Sequence, residues 1–414
     1  MLPFVETPVQ KIDKYQGLIS KNLLKEIKKR GEELKGLKVN FINSTPRGGG
    51  VAEILKSLVP LMKGIGIDAR WYTLPLQKSF FKITKQIHNA LQGENYEFPF
   101  SARKKYMDYM EKTAKLMYDM KADLWVVHDP QPAGIIPYIP HFHPSVCRLH
   151  IDLTSPNQEI WKFISGFLAM YDKIIVSSKR FIKIEIKRKA VVFPPAIDPL
   201  NPKNIKLSSI DAKHILKSYG INIKKPLISQ VSRFDPFKDP LGVIESYKLA
   251  KKKIPDLQLA LVGFFLAQDD PEAVKIYKAV EKKAKKDPDI FTFVNPEILG
   301  SLKVYVFVNA IQSASNIILQ KSVKEGFGLT LAEAMWKERP VIGGNAEGIK
   351  LQLKDKENGF LVSNPKQAAE RIVQLIQNPK LAKKLGEKAK KTVKQKFLMP
   401  RLLRDYLKLF QELT

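Results

Sequence analysis

Short runs of β-branched and apolar residues alternate along the chain with longer stretches whose apolar positions recur every three or four residues. The runs read as buried strands and the longer stretches as helices lying on them, the pattern of parallel sheets wrapped by helices. In the first half, strands are expected at residues 38–43, 67–74, 124–128, 146–150, 173–177 and 190–193, with helices over 52–63, 80–91, 103–120 and 158–170. The proline-rich stretch VVFPPAIDPLNPKN (191–204) breaks the alternation and reads as an interdomain linker. A second series follows, with strands at 226–232, 257–262, 290–294, 316–320, 339–343 and 359–362. Residues 304–308 (VYVFV) alternate like a strand while 308–312 continue as a helix would, and the pattern decides neither. The expectation is an α/β chain of two Rossmann-like domains facing each other across a cleft. Ligands of such sheets bind beyond the carboxyl ends of the strands, so the site is expected in that cleft.

Composition narrows this. The 414 residues are 44% hydrophobic and 9% aromatic, enough to fill two cores and to exclude wholesale disorder. A single cysteine, Cys147, excludes a disulfide scaffold and a multi-cysteine metal site. The longest apolar stretch, residues 259–267, is about half of what a membrane-spanning helix needs, and the N-terminus lacks a basic segment leading into an apolar one. A cytoplasmic protein is the expectation.

Lysine and arginine number 70 against 41 acids, a net charge of +29, which favours anionic partners. The lysines fall in groups such as Lys251, Lys252, Lys253 and Lys282, Lys283, Lys285, Lys286, at spacings that suit solvated helix faces. No aromatic-interleaved arginine stretch or zinc-finger spacing accompanies them, so nucleic-acid recognition is not expected. Residues 78–83 (KSFFKI) begin a basic amphipathic helix able to lie on anionic lipid. A basic nucleic-acid- or membrane-surface-binding protein is therefore the alternative of another class, although no stable membrane association is expected.

Four segments carry candidate chemistry. NSTPRGGG (43–50) precedes the helix expected over 52–63. Consecutive glycines let backbone amides approach a ligand, and the helix N-terminus that follows favours an anion. It is neither a Walker A sequence nor a dinucleotide fingerprint, since Glu53 stands where the third glycine belongs. Asp68 could imitate the ribose-binding acid of such folds, and a glycine-rich turn with no ligand remains open. VSRFDPFK (231–238) puts Arg233 at a strand's carboxyl end and Lys238 in the loop beyond, two cations able to clamp a diphosphate or merely to sit on the surface. EGFGLTLAE (325–333) runs from a glycine-bearing loop into a helix. Its Glu325 is placed to face a ligand, Glu333 lies about one turn into the helix, and the free amides near Phe327 to Thr330 suit an anion or a sugar hydroxyl. RLHIDLTSPN (148–157) ends a first-half strand; His150 and Asp152 would point the same way if the strand continues, and His128-Asp129 is similar. His141 and His143 lack a third ligand nearby in sequence, so no metal is expected.

Together these residues resemble the retaining GT-B glycosyltransferases that use nucleotide sugars. The resemblance tightens to the trehalose glycosyltransferring synthases, close kin of trehalose phosphorylase, in VVHDPQP (126–132), RLHIDLTSPN (148–157), VSRFDPFKD (231–239) and EGFGLTLAEAMW (325–336), with agreement at HNALQG (88–93) and PPAIDPL (194–200). It implies a GT-B fold with an acceptor domain over 1–195, a donor domain over 196–396 and a C-terminal helix within 397–414 that crosses back to the first domain. It implies transfer of glucose from ADP- or UDP-glucose to glucose, giving α,α-trehalose, with phosphate-dependent trehalose phosphorolysis as the enzyme alternative. Carried over by position, Glu325 contacts the donor sugar and Glu333 the ribose, while Arg233 and Lys238 hold the diphosphate. Gly326, Phe327, Gly328, Leu329 and Thr330 bind sugar and phosphate through their amides. His150 touches the transferred glucose, Asp152 belongs to the binding set, and the loop of Gly48, Gly49 and Gly50 approaches donor and acceptor. No metal or other cofactor is implied beyond the nucleotide-sugar co-substrate, and a homodimer is left open. The chain departs from the pattern at Glu338-Arg339, where relatives often carry glycine first, at Glu347, where glycine is usual, and over residues 304–308.

Overall fold

Runs such as KVNFIN (38–43) and LISQV (227–231) are buried almost end to end, as strands covered on both faces must be. The computed structural model describes residues 1–264 and 271–414. The last residues of the apolar stretch 259–267 therefore lie outside the described residues. Two units are present, one of Met1–Ala196 with Met399–Thr414, the other of Ile197–Leu398.

The first unit holds strands β1 (Phe4–Val5), β2 (Lys38–Asn43), β3 (Asp68–Thr73), β4 (Leu124–His128), β5 (Ser145–Leu149), β6 (Lys173–Val176) and β7 (Ala190–Val192). They form one sheet in the order β1-β3-β2-β4-β5-β6-β7, parallel except for β1. The second unit holds β8 (Leu227–Val231), β9 (Gln258–Val262), β10 (Ile290–Phe293), β11 (Ile317–Gln320), β12 (Val341–Gly344) and β13 (Phe360–Val362). Its order is β10-β9-β8-β11-β12-β13, parallel throughout. In each sheet the chain steps one way and then the other from a central pair, β2/β4 and β8/β11. Those are topological switch points, where loops beyond the strand ends diverge and leave room for a ligand.

Most strands and helices fall within a few residues of expectation. Residues 304–308 belong to the helix Val304–Ala314, because Phe307, Ala310 and Ile311 recur on one buried face. The short edge strand β1 and the helix Lys21–Glu33 went unforeseen, the latter being mostly charged. The proline-rich stretch is no loose linker in its second half. Asp198 accepts from the Leu200 N–H (2.9 Å), Asn204 donates to the Asp198 carbonyl (3.0 Å), and Trp336 donates its indole N–H to the Asn204 carbonyl (3.2 Å).

The basic helix Lys78–Leu91 has no apolar face left for a lipid surface. Phe80, Ile83 and Ile87 are buried in the first core, and Phe80 stacks on Tyr109 with ring centroids 3.7 Å apart. Of the lysine groups, Lys251 is not simply solvated: it bridges Asp287 (2.9 Å) and Asp289 (2.7 Å). The C-terminal helix Met399–Leu413 packs into the first unit, where fully buried Arg148 donates to the Tyr406 hydroxyl (2.9 Å). Among the described residues no helix is long and apolar enough to cross a membrane.

The helix Leu329–Trp336 ends without the glycine that its geometry favours. Glu338 and Arg339 donate their N–H groups to Met335 and Ala334 carbonyls, both at 3.1 Å, and Glu338 takes a left-handed φ of 58°. This is a Schellman closure carried by a residue with a Cβ. Glu338→Gly should therefore raise stability by about 0.5–1 kcal/mol, less any contribution from the exposed Glu338–Lys390 pair. Thermal unfolding of the two proteins checks this, and a lower Tm for the glycine variant would contradict it.

Candidate active site

At the β8/β11 switch point of the second unit, two loops converge. The first follows β8. Asp235 caps a short 3-10 turn, Pro236–Lys238, by accepting from the Phe237 N–H (2.9 Å), and the Lys238 carbonyl accepts from Gln230 (2.8 Å). The turn aims Lys238 at the loop after β11, where its ammonium meets Glu325 Oε2 at 2.5 Å. Ser322 (3.1 Å) and Gln320 (3.4 Å) donate to the same oxygen. Glu325 is 9% exposed, so a buried carboxylate is fixed by a cation and two neutral donors. Below it Lys321 pairs with Asp239, which also caps the helix Pro240–Lys251. Arg233 is half-exposed and lies against Asp235 (3.1 Å).

The loop of Glu325 to Gly328 is held by close backbone packing. The Gly348 N–H donates to the Glu325 carbonyl (3.0 Å), and a Cβ on Gly348 would stand 2.5 Å from the Phe327 nitrogen, so no larger residue fits. Gly328, at φ 88°, starts the helix Leu329–Trp336 with no side chain capping its amides. Those amides and the positive helix end can receive an anion or a hydroxyl. Gln352 fixes the loop by donating to the Phe327 carbonyl (2.5 Å), and Thr330 donates its hydroxyl to Gln320 (3.1 Å).

Glu333, in the same helix, is 2% exposed and has a different partner. Its Oε1 meets Lys203 at 2.7 Å, while its buried Oε2 has no hydrogen-bond partner among the described residues. A buried carboxylate oxygen left unpaired costs free energy unless something else donates to it. Lys337, one turn on, donates to Gln312 (2.8 Å) and Asn204 (3.2 Å). Burial pushes its ammonium down to about 7, opposed by Glu333 and aided by Lys203. Between pH 7 and its ordinary value of 10.5, the unfolded chain then holds a proton that the folded one does not. Stability from this residue is lowest below pH 7 and recovers as pH rises. The Tm of the native chain, relative to Lys337→Met, should climb from pH 7 to pH 10; a difference independent of pH would contradict this.

In the first unit, the loop 43–50 follows β2 at the β2/β4 switch point. Asn43 anchors it by donating to the Thr45 carbonyl (2.8 Å) and accepting from the Trp71 indole (2.7 Å). Gly48 takes φ 77°, Gly49 is extended, and Gly50 opens the helix Gly50–Gly64 with no side-chain cap. Asp68 is no ribose acid: it is the first residue of β3, at the opposite end of the sheet, and pairs with Arg70 (2.9 Å). The strand leading to His150 ends at Leu149, so His150 and Asp152 do not share a face by strand alternation. Asp152 is buried and spends Oδ1 on Thr154, accepting from its N–H (2.9 Å) and hydroxyl (2.6 Å). His150 instead meets His128, Nε2 to Nδ1 at 2.9 Å with the rings stacked, and its backbone N–H donates to Asp129 Oδ1 (2.7 Å). Burial, with the nearby Arg148 charge, holds both imidazoles well below their ordinary pKa, so they are neutral near pH 7. Burial also pushes the Asp129 carboxyl up to about 7.

Of the residues read from sequence, Lys238 and Glu325 touch, Arg233 and Gly326 to Gly328 lie on the same two loops, and Leu329, Thr330 and Glu333 lie on the adjoining helix, Glu333 with its own cation. His150, Asp152 and Gly48 to Gly50 belong to the other unit. Lys203, Gln320, Ser322 and Gly348 were not among the candidates, whereas His128 was. Among the described residues there is no cluster of three His, Cys, Asp or Glu side chains able to hold a metal.

Residues 41–183 match the model of the trehalose synthase N-terminal domain, and residues 211–392 match that of glycosyl transferases group 1. A trehalose synthase of Pyrococcus horikoshii is 41% identical over 98% of this chain and 97% of its own length. The chain belongs to the trehalose synthase family. A trehalose phosphorylase of Pleurotus pulmonarius is a more distant relative, 27% identical over 86% of this chain and 54% of its own length. The fold is GT-B. A UDP-forming α,α-trehalose-phosphate synthase of Burkholderia xenovorans, solved with glucose-6-phosphate, superposes with TM-score 0.75 at 10% identity, covering 90% of this chain and all of that one. As a member of this family the protein is a glycosyltransferase of trehalose metabolism.

Proposed function

We propose that the enzyme transfers glucose from a nucleoside-diphosphate glucose to glucose, giving α,α-trehalose with retention at the donor carbon. The observation that carries this is Glu325, a buried carboxylate held by Lys238, Ser322 and Gln320 beside an uncapped helix N-terminus. With Oε2 fixed, the carboxylate presents Oε1 to the donor sugar and places negative charge beside the carbon that becomes cationic. Lys238, with Arg233, takes the diphosphate, and the amides of Gly326 to Thr330 complete its cradle. The unpaired Oε2 of Glu333 accepts from a ribose hydroxyl. His150, held neutral, hydrogen-bonds the transferred glucose, and the Gly48–Gly50 loop approaches donor and acceptor.

The bond between the anomeric carbon and the leaving phosphate oxygen breaks as the acceptor oxygen attacks from the same face. The acceptor's proton passes to the departing phosphate, so the protein's part is alignment and charge stabilisation. Two cations carry the leaving-group charge, and no metal or other cofactor is needed. Excess chelator should therefore leave the rate unchanged; loss of activity restored by magnesium or manganese would refute that.

The phosphorylase relative makes phosphorolysis the second reading. Incubation of trehalose with phosphate and no nucleotide should yield no glucose 1-phosphate, whereas trehalose with a nucleoside diphosphate should regenerate the nucleotide sugar. Glucose 1-phosphate without nucleotide would favour the phosphorylase. A cytoplasmic location, with no nucleic-acid partner, goes with this reading.

A further inference from the structure

The second unit has a cavity of about 420 Å³ at the end of its sheet where the strands begin, bounded by Leu227 at the start of β8, by Asn316 just before β11 and by Arg339 just before β12. The strands between this end and the loops of Lys238 and Glu325 are four or five residues long, which separates the two places by about 15 Å. Its lining includes Lys213, Lys224, Lys225 and Arg339 but no Asp or Glu, and Leu216 and Ile221 give it an apolar wall.

The cations are unevenly satisfied. Lys225 is shared by Asp256 and Asp289, both at 3.5 Å. Half-buried Arg339 donates to neutral acceptors, the Lys337 carbonyl (3.3 Å) and, weakly, the Ser315 carbonyl (3.5 Å). Burial lowers its pKa against the opposing charge of the neighbouring Glu338, so the guanidinium has lost more in water than that carboxylate returns. A partly desolvated fork of donors beside two further lysines is what a phosphate needs, and the apolar wall suits a carbon body attached to it.

We propose that this cavity is a second ligand site, separate from the nucleotide site, that binds a small organic phosphate through Arg339, Lys213 and Lys224, with its organic part against Leu216 and Ile221. Competition from the Lys238–Glu325 site is removed by working with the full chain at saturating nucleoside diphosphate. Under those conditions calorimetry with phenyl phosphate at low salt should show one molecule bound per chain, and inorganic phosphate should bind at least threefold more weakly. Arg339→Gln should weaken phenyl phosphate at least tenfold. Lys213→Glu, at an exposed position that the fold does not depend on, should weaken it comparably and covers the case in which Arg339→Gln does not fold. No binding at saturating nucleotide, or binding that Lys213→Glu leaves unchanged, would overturn the proposal.

Discussion

Glu325→Ala is expected to lower kcat by about 10²–10³ while free nucleoside diphosphate binds as well as before or more tightly. The two effects separate because the carboxylate acts on the sugar and the cations act on the phosphates. In the free enzyme Lys238 is engaged with Glu325 at 2.5 Å, a contact that a diphosphate must compete with. Removing the carboxylate frees the ammonium for the ligand and strips charge stabilisation from the sugar carbon. Lys238→Ala should act in the other sense, weakening nucleoside diphosphate binding and slowing turnover together. Calorimetry and turnover at saturating donor distinguish the cases. A Glu325→Ala protein with normal saturated turnover and lost nucleotide affinity would show that the two glutamates have been assigned the wrong way round.

The second large effect is expected at Glu333 and Lys203. Glu333→Ala should weaken nucleotide affinity by about 10–100-fold with a smaller change in saturated kcat, because a charged hydrogen bond to the ribose is lost. Lys203→Ala should reproduce much of that loss without touching the ligand. It leaves the Glu333 carboxylate buried with its cation gone and its orientation toward the ribose no longer fixed. Lys203→Arg, which restores the charge, should recover affinity. If Lys203→Ala binds nucleotide normally, the Lys203–Glu333 pair is a matter of stability alone.

The alternation of apolar runs was sufficient to place most strands of both sheets, because parallel strands buried on both faces leave an uninterrupted apolar signal. The two-residue strand Phe4–Val5 is too short, and the helix Lys21–Glu33 too charged, to carry such a signal. Lys238 and Glu325 were legible as types in loops after strands, but their contact depends on β8 and β11 being neighbours, which strand order decides and local pattern does not. The same holds for Lys203, which belongs to a proline-rich stretch and reaches Glu333 only through the packing around Asn204 and Trp336. Placing His150 and Asp152 on one face depends on strand alternation continuing past Leu149, where an Asp–Thr turn takes over.

On this reading one chain makes a glycosidic bond between two glucose units at the expense of a nucleoside-diphosphate glucose. The most direct measurement is a nuclear magnetic resonance assay of the purified protein with carbon-13-labelled glucose and, in turn, ADP-glucose and UDP-glucose. The product expected is α,α-trehalose labelled in one ring, with nucleoside diphosphate released in equal amount and no free β-linked product. Failure of every nucleotide donor, with trehalose appearing only from glucose 1-phosphate, or a product inverted at the donor carbon, would contradict it.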